Sequence, residues 1–198
     1  MSDLLALDVA ILPPRDVREM AIRLSAALPQ ADFEGLRLDG RHLPHLTLTQ
    51  QFVRVDEIEH ALARLDAILG DQRPLELRVT GIGATSRSTV WIAIERTHAL
   101  ASLHERLMHA LEDVERVGGG PPAFVGGDAR LADVAWVAGY RLTSSFLSFS
   151  PHITLGHAGD PPHLEPFTFE ATTVAACHLG RFCTCQRVLR QWTLVRSG

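Results

Sequence analysis

Apolar positions recur along this chain at two periods, and the two predict different elements. Leu4–Leu12 (LLALDVAIL) is a run of strand formers closed by Pro13 and Pro14. In Arg15–Leu28, Val17, Met20, Ile22, Leu24 and Leu28 approach helical spacing, and Pro29 stops the helix. His45–Val53 (HLTLTQQFV) alternates and predicts a strand. Val55–Gly70 predicts a second helix, with Asp56 as N-cap and Gly70 as C-cap. Leu75–Ile82 and Thr89–Glu95 predict two strands joined by a Gly/Ser/Thr loop, and His98–Val114 predicts a third helix. Gly118–Ser145 opens Gly/Pro-rich (GGGPPAFVGG) and predicts a mobile loop with short ordered pieces, placed as a lid. Phe146–Ala158 returns to alternation, and Pro166–Leu179 and Gln186–Val195 predict the last two strands.

This order predicts an α+β fold. Strands polar on one side and apolar on the other belong to largely antiparallel sheet, with helices outside and a wet cleft inside. His45–Val53 and Phe146–Ala158 each lie downstream of a helix. The expectation is therefore one bilobal domain, residues 1–198, of two similar lobes facing each other across a central cleft.

Composition narrows the function. The 198 residues are 46% hydrophobic and 21% charged, as in soluble globular proteins, with a formal net charge of −4. No Lys/Arg run is present, which excludes the electrostatic footprint of a long-polymer nucleic-acid binder. A small or terminal phosphate-bearing substrate needs only a few local donors and stays open. The N-terminal apolar run is short, is broken by Asp8 and has no basic flank, so it reads as a strand rather than a signal peptide. No stretch reaches the roughly 20 apolar residues of a membrane span. Three cysteines, Cys177, Cys183 and Cys185, fit a reducing, cytoplasmic setting better than a disulfide scaffold. A monomer is expected.

One pentapeptide is written twice: Pro44–Leu48 (PHLTL) and Pro151–Leu155 (PHITL). Composition predicts about 0.1 H-x-T-L by chance, so two copies ask for a cause. By strict alternation His45, Thr47, Thr49 and Gln51 share one face, and Leu46, Leu48, Gln50 and Phe52 the other. Likewise Ser148, Ser150, His152 and Thr154 oppose Leu147, Phe149, Ile153 and Leu155. Two such polar faces lining one groove would gather two imidazoles and two hydroxyls. An imidazole titrates near neutrality, so the pair suits a reaction that removes one proton and supplies another. Phosphodiester hydrolysis has that demand, on opposite sides of phosphorus. Thr47 and Thr154 could donate to the non-bridging oxygens, and the scheme needs no metal and no cofactor.

The twin His-x-Thr-Leu signatures resemble those of the 2H phosphoesterase superfamily, which includes the LigT-like 2'-5' RNA ligases and the RNA 2',3'-cyclic phosphodiesterases. TVWIAIE, FSPHITLGHA and QRVLRQWTLV extend the likeness over most of the chain. The resemblance implies two pseudo-symmetric lobes around a water-filled cleft. It implies that His45 gives a proton to the leaving 3'-oxygen and that His152 activates water, yielding a 2'-phosphomonoester. The substrate would be the 2',3'-cyclic phosphate of an RNA end or of a small nucleotide. Two departures stand out: the aromatic after the first motif is displaced to Phe52, and an Arg common five residues past the second His is His157 here. A binding module for phosphorylated ends, or 2'-5' RNA ligation, would use the same residues.

Ser150 and His157 flank the second motif, although alternation sets His157 on the face opposite His152. Phe52, Trp91, Phe149 and above all Tyr140, the only tyrosine, could stack on a base. His42 could line the cleft rim, and His98, His104 and His109 read as exposed. The Cys177–Cys185 stretch matches no common zinc spacing, and GGGPPAFVGG lacks the Lys-Ser/Thr of a phosphate loop.

Overall fold

The computed structural model describes residues 2–29, 35–85, 89–157 and 161–195. In chain order the elements are β1 (Leu4–Ile11), α1 (Arg15–Ala26), β2 (Leu46–Arg54), α2 (Ile58–Leu69), β3 (Leu75–Ala84) and β4 (Thr89–Ile94). Then come α3 (His98–Ala110), α4 (Leu131–Thr143), β5 (His152–His157), β6 (Phe167–Ala171), β7 (Thr173–Gly180) and β8 (Thr184–Thr193). Residues 86–88 of the expected β3–β4 loop, and Ala158 at the end of the expected second motif strand, lie outside the described residues.

Among the described residues all eight strands join one sheet in the order β6-β3-β4-β5-β2-β1-β7-β8, and every pairing is antiparallel. The edge strand β6 and the interior strand β7 are separated in sequence by Thr172 alone. One residue spans only a few ångströms, so the sheet must curl until its far half comes back beside β6. The two lobes are thus two four-stranded halves of a curled sheet. They join at β2 and β5, the two motif strands.

Leu7, Val9 and Ile11 of β1 point into the main core, together with Leu46 and Leu48 of β2 and Ile153 and Leu155 of β5. Helices α1, α2 and α3 cover that face through Val17, Leu65 and Leu103 among others. On the opposite face Ala6 and Phe52 pack with Phe124 and Val137 of the α4 segment. The helices α1 to α3 therefore lie outside the sheet, and α4 leans over its inner face.

Several expectations change. The segment predicted as a mobile loop holds the 13-residue helix α4. Apolar Leu131, Trp136 and Leu142 lie on its exposed side while Val137 and Tyr140 are buried, which blurs the helical period. Its start is held by Asp133, whose carboxylate accepts the Arg130 N–H at 2.9 Å. Asp56 does not cap α2; it pairs with Arg54 at 3.1 Å, after a short 3-10 turn at Val55–Glu57. The strand predicted from Phe146 starts only at His152, because Phe146–Ser148 form a 3-10 turn. The single strand predicted over Pro166–Leu179 breaks at Thr172 into β6 and β7.

Candidate functional site

The motif strands are neighbours, and the pair that joins them is Leu46 with Ile153. These are the middle residues of the two His-x-Thr triplets. An antiparallel pairing centred there brings His45 toward Thr154 and Thr47 toward His152. The two halves of the site are related by a local two-fold through the Leu46–Ile153 pair.

Each histidine is anchored in the same way. His45 Nδ1 bonds the Leu43 carbonyl at 2.7 Å, and His152 Nδ1 bonds the Ser150 carbonyl at 2.7 Å. The carbonyl lies two residues before the imidazole, and the residue between is Pro44 or Pro151. Proline fixes its own φ and restricts the residue before it to extended backbone. That arrangement delivers the carbonyl to Nδ1, and a carbonyl can only accept. The Nδ1–H tautomer follows, leaving the lone pair of each neutral ring on Nε2.

The Leu that ends each motif is a bulge. Along β1, Val9 pairs with Thr49 and Ala10 with Thr47, so Leu48 is the extra residue. Along β4, Trp91 pairs with Thr154 and Val90 with Gly156, so Leu155 is the extra residue. One extra residue inverts the alternation beyond it. Gln50 and His157, each five past the motif histidine, are thereby turned onto the working face, and both line the cavity there. Gly156 takes φ +151°, and a Cβ on it would meet the Leu36 carbonyl at 2.5 Å, so this bulge needs glycine. Strict alternation had set His157 on the far face and Gln51 with the histidines. Instead Gln51 and Thr49 are buried on the helix side.

A bulge drops a carbonyl from the ladder, and both are captured by buried helix side chains. His104 of α3 bonds the Leu48 carbonyl through Nδ1 at 2.6 Å, and Ser25 of α1 donates to the Leu155 carbonyl at 2.5 Å. Ser25 also accepts from Leu38 N–H at 2.8 Å. His104 Nε2 accepts from Phe146 N–H at 2.8 Å, and its ring stacks on Phe149 with centroids 4.0 Å apart. The expectation of an exposed His104 is wrong. It is fully buried, because the bulge carbonyl needs a donor there. Burial lowers its pKa, the Leu48 bond opposing only in part.

Beneath His45 lies Asp8, fully buried on β1. Its Oδ2 accepts from Thr47 Oγ1 at 2.9 Å and Gln50 Nε2 at 2.7 Å, and stands 3.7 Å from His45 Nε2. Asp8 is the largest omission of sequence reasoning, where it only interrupted an apolar run. A charged residue in the middle of LLALDVAIL was itself the signal. Burial pushes its pKa up, opposed by His45, Gln50 and Thr47. Desolvation lowers the pKa of His152, and the nearby His45 charge adds to this against the Ser150 bond.

The cavity over this face has a volume of about 590 Å³, room for a nucleotide. Thr47, His152 and Thr154 line its floor; Arg130, Trp136 and Phe182 line its walls. Arg130 spans Asp133 at 2.5 Å and the Phe182 ring at 4.0 Å. It is the guanidinium among the described lining residues, and its charge adds to desolvation in lowering the pKa of His157. Position 157 carries no guanidinium, and the one that lines the cavity stands at the start of α4 with Asp133 as its partner.

The sequence carries the matching family signal: a 2'-5' RNA ligase superfamily model spans residues 13–183. The chain belongs to the 2'-5' RNA ligase superfamily of 2H phosphoesterases. LigT of E. coli, solved with NADP+, is 18% identical, with a TM-score of 0.63 over 98% of this chain and 99% of that one. TT0787 of Thermus thermophilus is 19% identical, with a TM-score of 0.64 over 96% and 98%. The LigT complex with 3'-AMP is 20% identical, with a TM-score of 0.63 over 98% and 99%. These likenesses carry the fold. No curated protein matches the chain. None of the described helices is long and apolar enough to cross a membrane.

Within this superfamily fold the other candidates fall as follows. Ser150 supplies its carbonyl to His152 and lines the cavity. Tyr140 lines the cavity floor but is 4% exposed, too buried to offer a stacking face. Phe52 is fully buried, edge-on to Phe124 at 5.9 Å, because the Leu48 bulge turns it under α4. Phe149 is the His104 stacking partner, and Trp91 packs beside His152 at 5.9 Å. His42 bonds Asp39 at 2.9 Å outside the cavity lining. Trp136, 46% exposed on α4, is the accessible aromatic that sequence reasoning missed with its helix.

Proposed function

We propose that this protein opens 2',3'-cyclic phosphates, at an RNA end or on a nucleotide, to 2'-phosphomonoesters without a metal. The observation that carries it is the doubled anchor: two imidazoles, each pinned through Nδ1 by a carbonyl, at the junction of two related half-sites. His152, held toward its neutral form by desolvation, suits the base. Its Nε2 takes a proton from water as the oxygen attacks phosphorus. The bond from phosphorus to the 3'-oxygen breaks, and His45 gives that oxygen a proton. His45 forms an ion pair with Asp8 while it carries the proton.

Thr154 faces the cavity and can donate to a non-bridging oxygen. Thr47 donates to Asp8 in the resting site. Arg130 supplies charge, and Trp136 supplies a face for a base. LigT solved with 3'-AMP and with ATP supports a nucleotide-sized ligand in this fold.

The test is turnover of a nucleoside 2',3'-cyclic phosphate with EDTA present. His45→Ala and His152→Ala should each lose roughly a hundredfold or more. Active wild type with two unimpaired single mutants refutes the mechanism. Binding of a 2'-phosphate ligand without turnover of any cyclic substrate would make the cleft a binding site instead.

A further inference from the structure

Three donors of different chemistry meet behind the catalytic face: the Asp8 carboxylate from β1, His45 Nε2 from the start of β2, and Cys185 Sγ from β8. Their ligand atoms all lie within 4.8 Å of one another. The meeting depends on the tertiary structure. Leu43 N–H bonds the Cys185 carbonyl at 3.1 Å, which draws the approach to His45 against β8.

We propose that Asp8, His45 and Cys185 bind a thiophilic divalent cation, best matched by Zn2+, and that its occupancy switches the phosphodiesterase site off. One nitrogen, one carboxylate oxygen and one thiolate make a zinc donor set, whereas Mg2+ and Ca2+ select all-oxygen sets. Tetrahedral zinc, with bonds of roughly 2.0–2.3 Å, sets neighbouring donors about 3.3–3.8 Å apart. Closing up from the observed separation takes about 1 Å, within reach of an Asp8 rotamer and a His45 ring tilt.

A second observation points to a ligand. Asp8 Oδ1 is buried and accepts no hydrogen bond among the described residues, although Oδ2 is fully engaged. An orphaned buried carboxylate oxygen is costly, and a cation satisfies it. The His45 ring is also prepared, because the Leu43 carbonyl holds Nδ1 and leaves Nε2 as the coordinating atom. Cys177, opposite Asp8 on β7, shares one buried cluster with Cys185 and brings a second sulfur to this region. Cys185 and Asp8 are fully buried, while the His45 side chain keeps 10% exposure, so the cation enters past that ring.

The consequence follows from electron pairs. Coordination commits the Nε2 lone pair of His45 to the metal and releases the Cys185 thiol proton to solvent. His45 then has no pair with which to hold and deliver a proton. Inhibition therefore rests on the proposed function; binding does not.

The experiment uses Co2+ as a spectroscopic probe and Zn2+ as the inhibitor on the full chain. Wild type should bind one equivalent of Co2+ with a thiolate-to-metal charge-transfer band. That band should vanish in Cys185→Ser and persist in Cys183→Ser. Zn2+ should inhibit cyclic-phosphate turnover reversibly with EDTA. The half-inhibiting concentration should rise about tenfold or more in Cys185→Ser, relative to that variant's own metal-free rate. Wild type without a sulfur band, or Cys185→Ser with unchanged Zn2+ affinity, overturns the site. If the variant fails to fold, X-ray absorption of Zn-loaded wild type decides: sulfur at about 2.3 Å supports the site, and a shell of nitrogen and oxygen alone refutes it. A sulfur band in a protein with no cyclic-phosphate turnover would leave the site standing and remove the inhibitory role.

Discussion

His104→Leu should damage both stability and turnover from outside the cavity. The substitution leaves two buried backbone groups without partners, the Leu48 carbonyl and the Phe146 N–H. Each orphan costs about 1–3 kcal/mol. The stack on Phe149 is lost as well, and leucine recovers part of the apolar contact. The expected loss is about 2–5 kcal/mol, a large part of the roughly 5–15 kcal/mol that holds a domain together. Urea unfolding at about pH 7.5 would read it as a lower midpoint with unchanged slope. His104→Gln, which can still donate or accept, should recover part of it. Acid supplies an independent readout. The folded pKa of His104 lies below its ordinary value of 6.5, so below that pH the unfolded chain binds a proton the folded chain refuses. Stability then falls as pH drops, by up to about 1.4 kcal/mol per pH unit for this one group, until the folded pKa is reached. His152, His157 and His178 are shifted the same way. The decisive quantity is therefore the difference in slope between wild type and His104→Gln. A loss under about 1 kcal/mol in His104→Leu, or equal acid slopes in wild type and His104→Gln, would refute this reading.

Gly156→Ala forces a side chain onto φ +151° and against the Leu36 carbonyl, and should cost about 2–4 kcal/mol in urea unfolding. A neutral result would mean that the second bulge is not needed. Pro44→Ala and Pro151→Ala should lower kcat about 3–10-fold through looser imidazoles, with KM and stability little changed. A KM effect alone would contradict the anchoring role. The acid limb of kcat/KM should fall below pH 6.5, because a base must be neutral and His152 is lowered from that value. A limb at or above pH 6.5 would rule out His152 as the base.

The three outer helices and most strands were legible because each is written in a local period: Val17 to Leu28, Ile58 to Leu69, the alternation of Leu75–Ile82. The doubled pentapeptide was legible as two matching strand segments for the same reason, and the structure pairs them through Leu46 and Ile153. Each residue of it has a local duty: proline delivers the carbonyl, histidine takes it at Nδ1, and threonine shares its face. Helix α4 was not legible, since Leu131, Trp136 and Leu142 spread apolar surface around an element that packs by one side only.

The working face beyond each motif was decided by tertiary structure alone. Whether Gln50 or Gln51, and which face for His157, depends on an extra residue opposite β1 or β4, and a bulge is a property of two strands together. The same holds for Asp8 and Cys185, which lie far apart in sequence and meet at His45 because β1, β7 and β8 are consecutive in the sheet and Leu43 bridges to Cys185. Local sequence set which side chains could do chemistry here. Strand pairing set which of them face one another, because register and curl are long-range quantities that no local window carries.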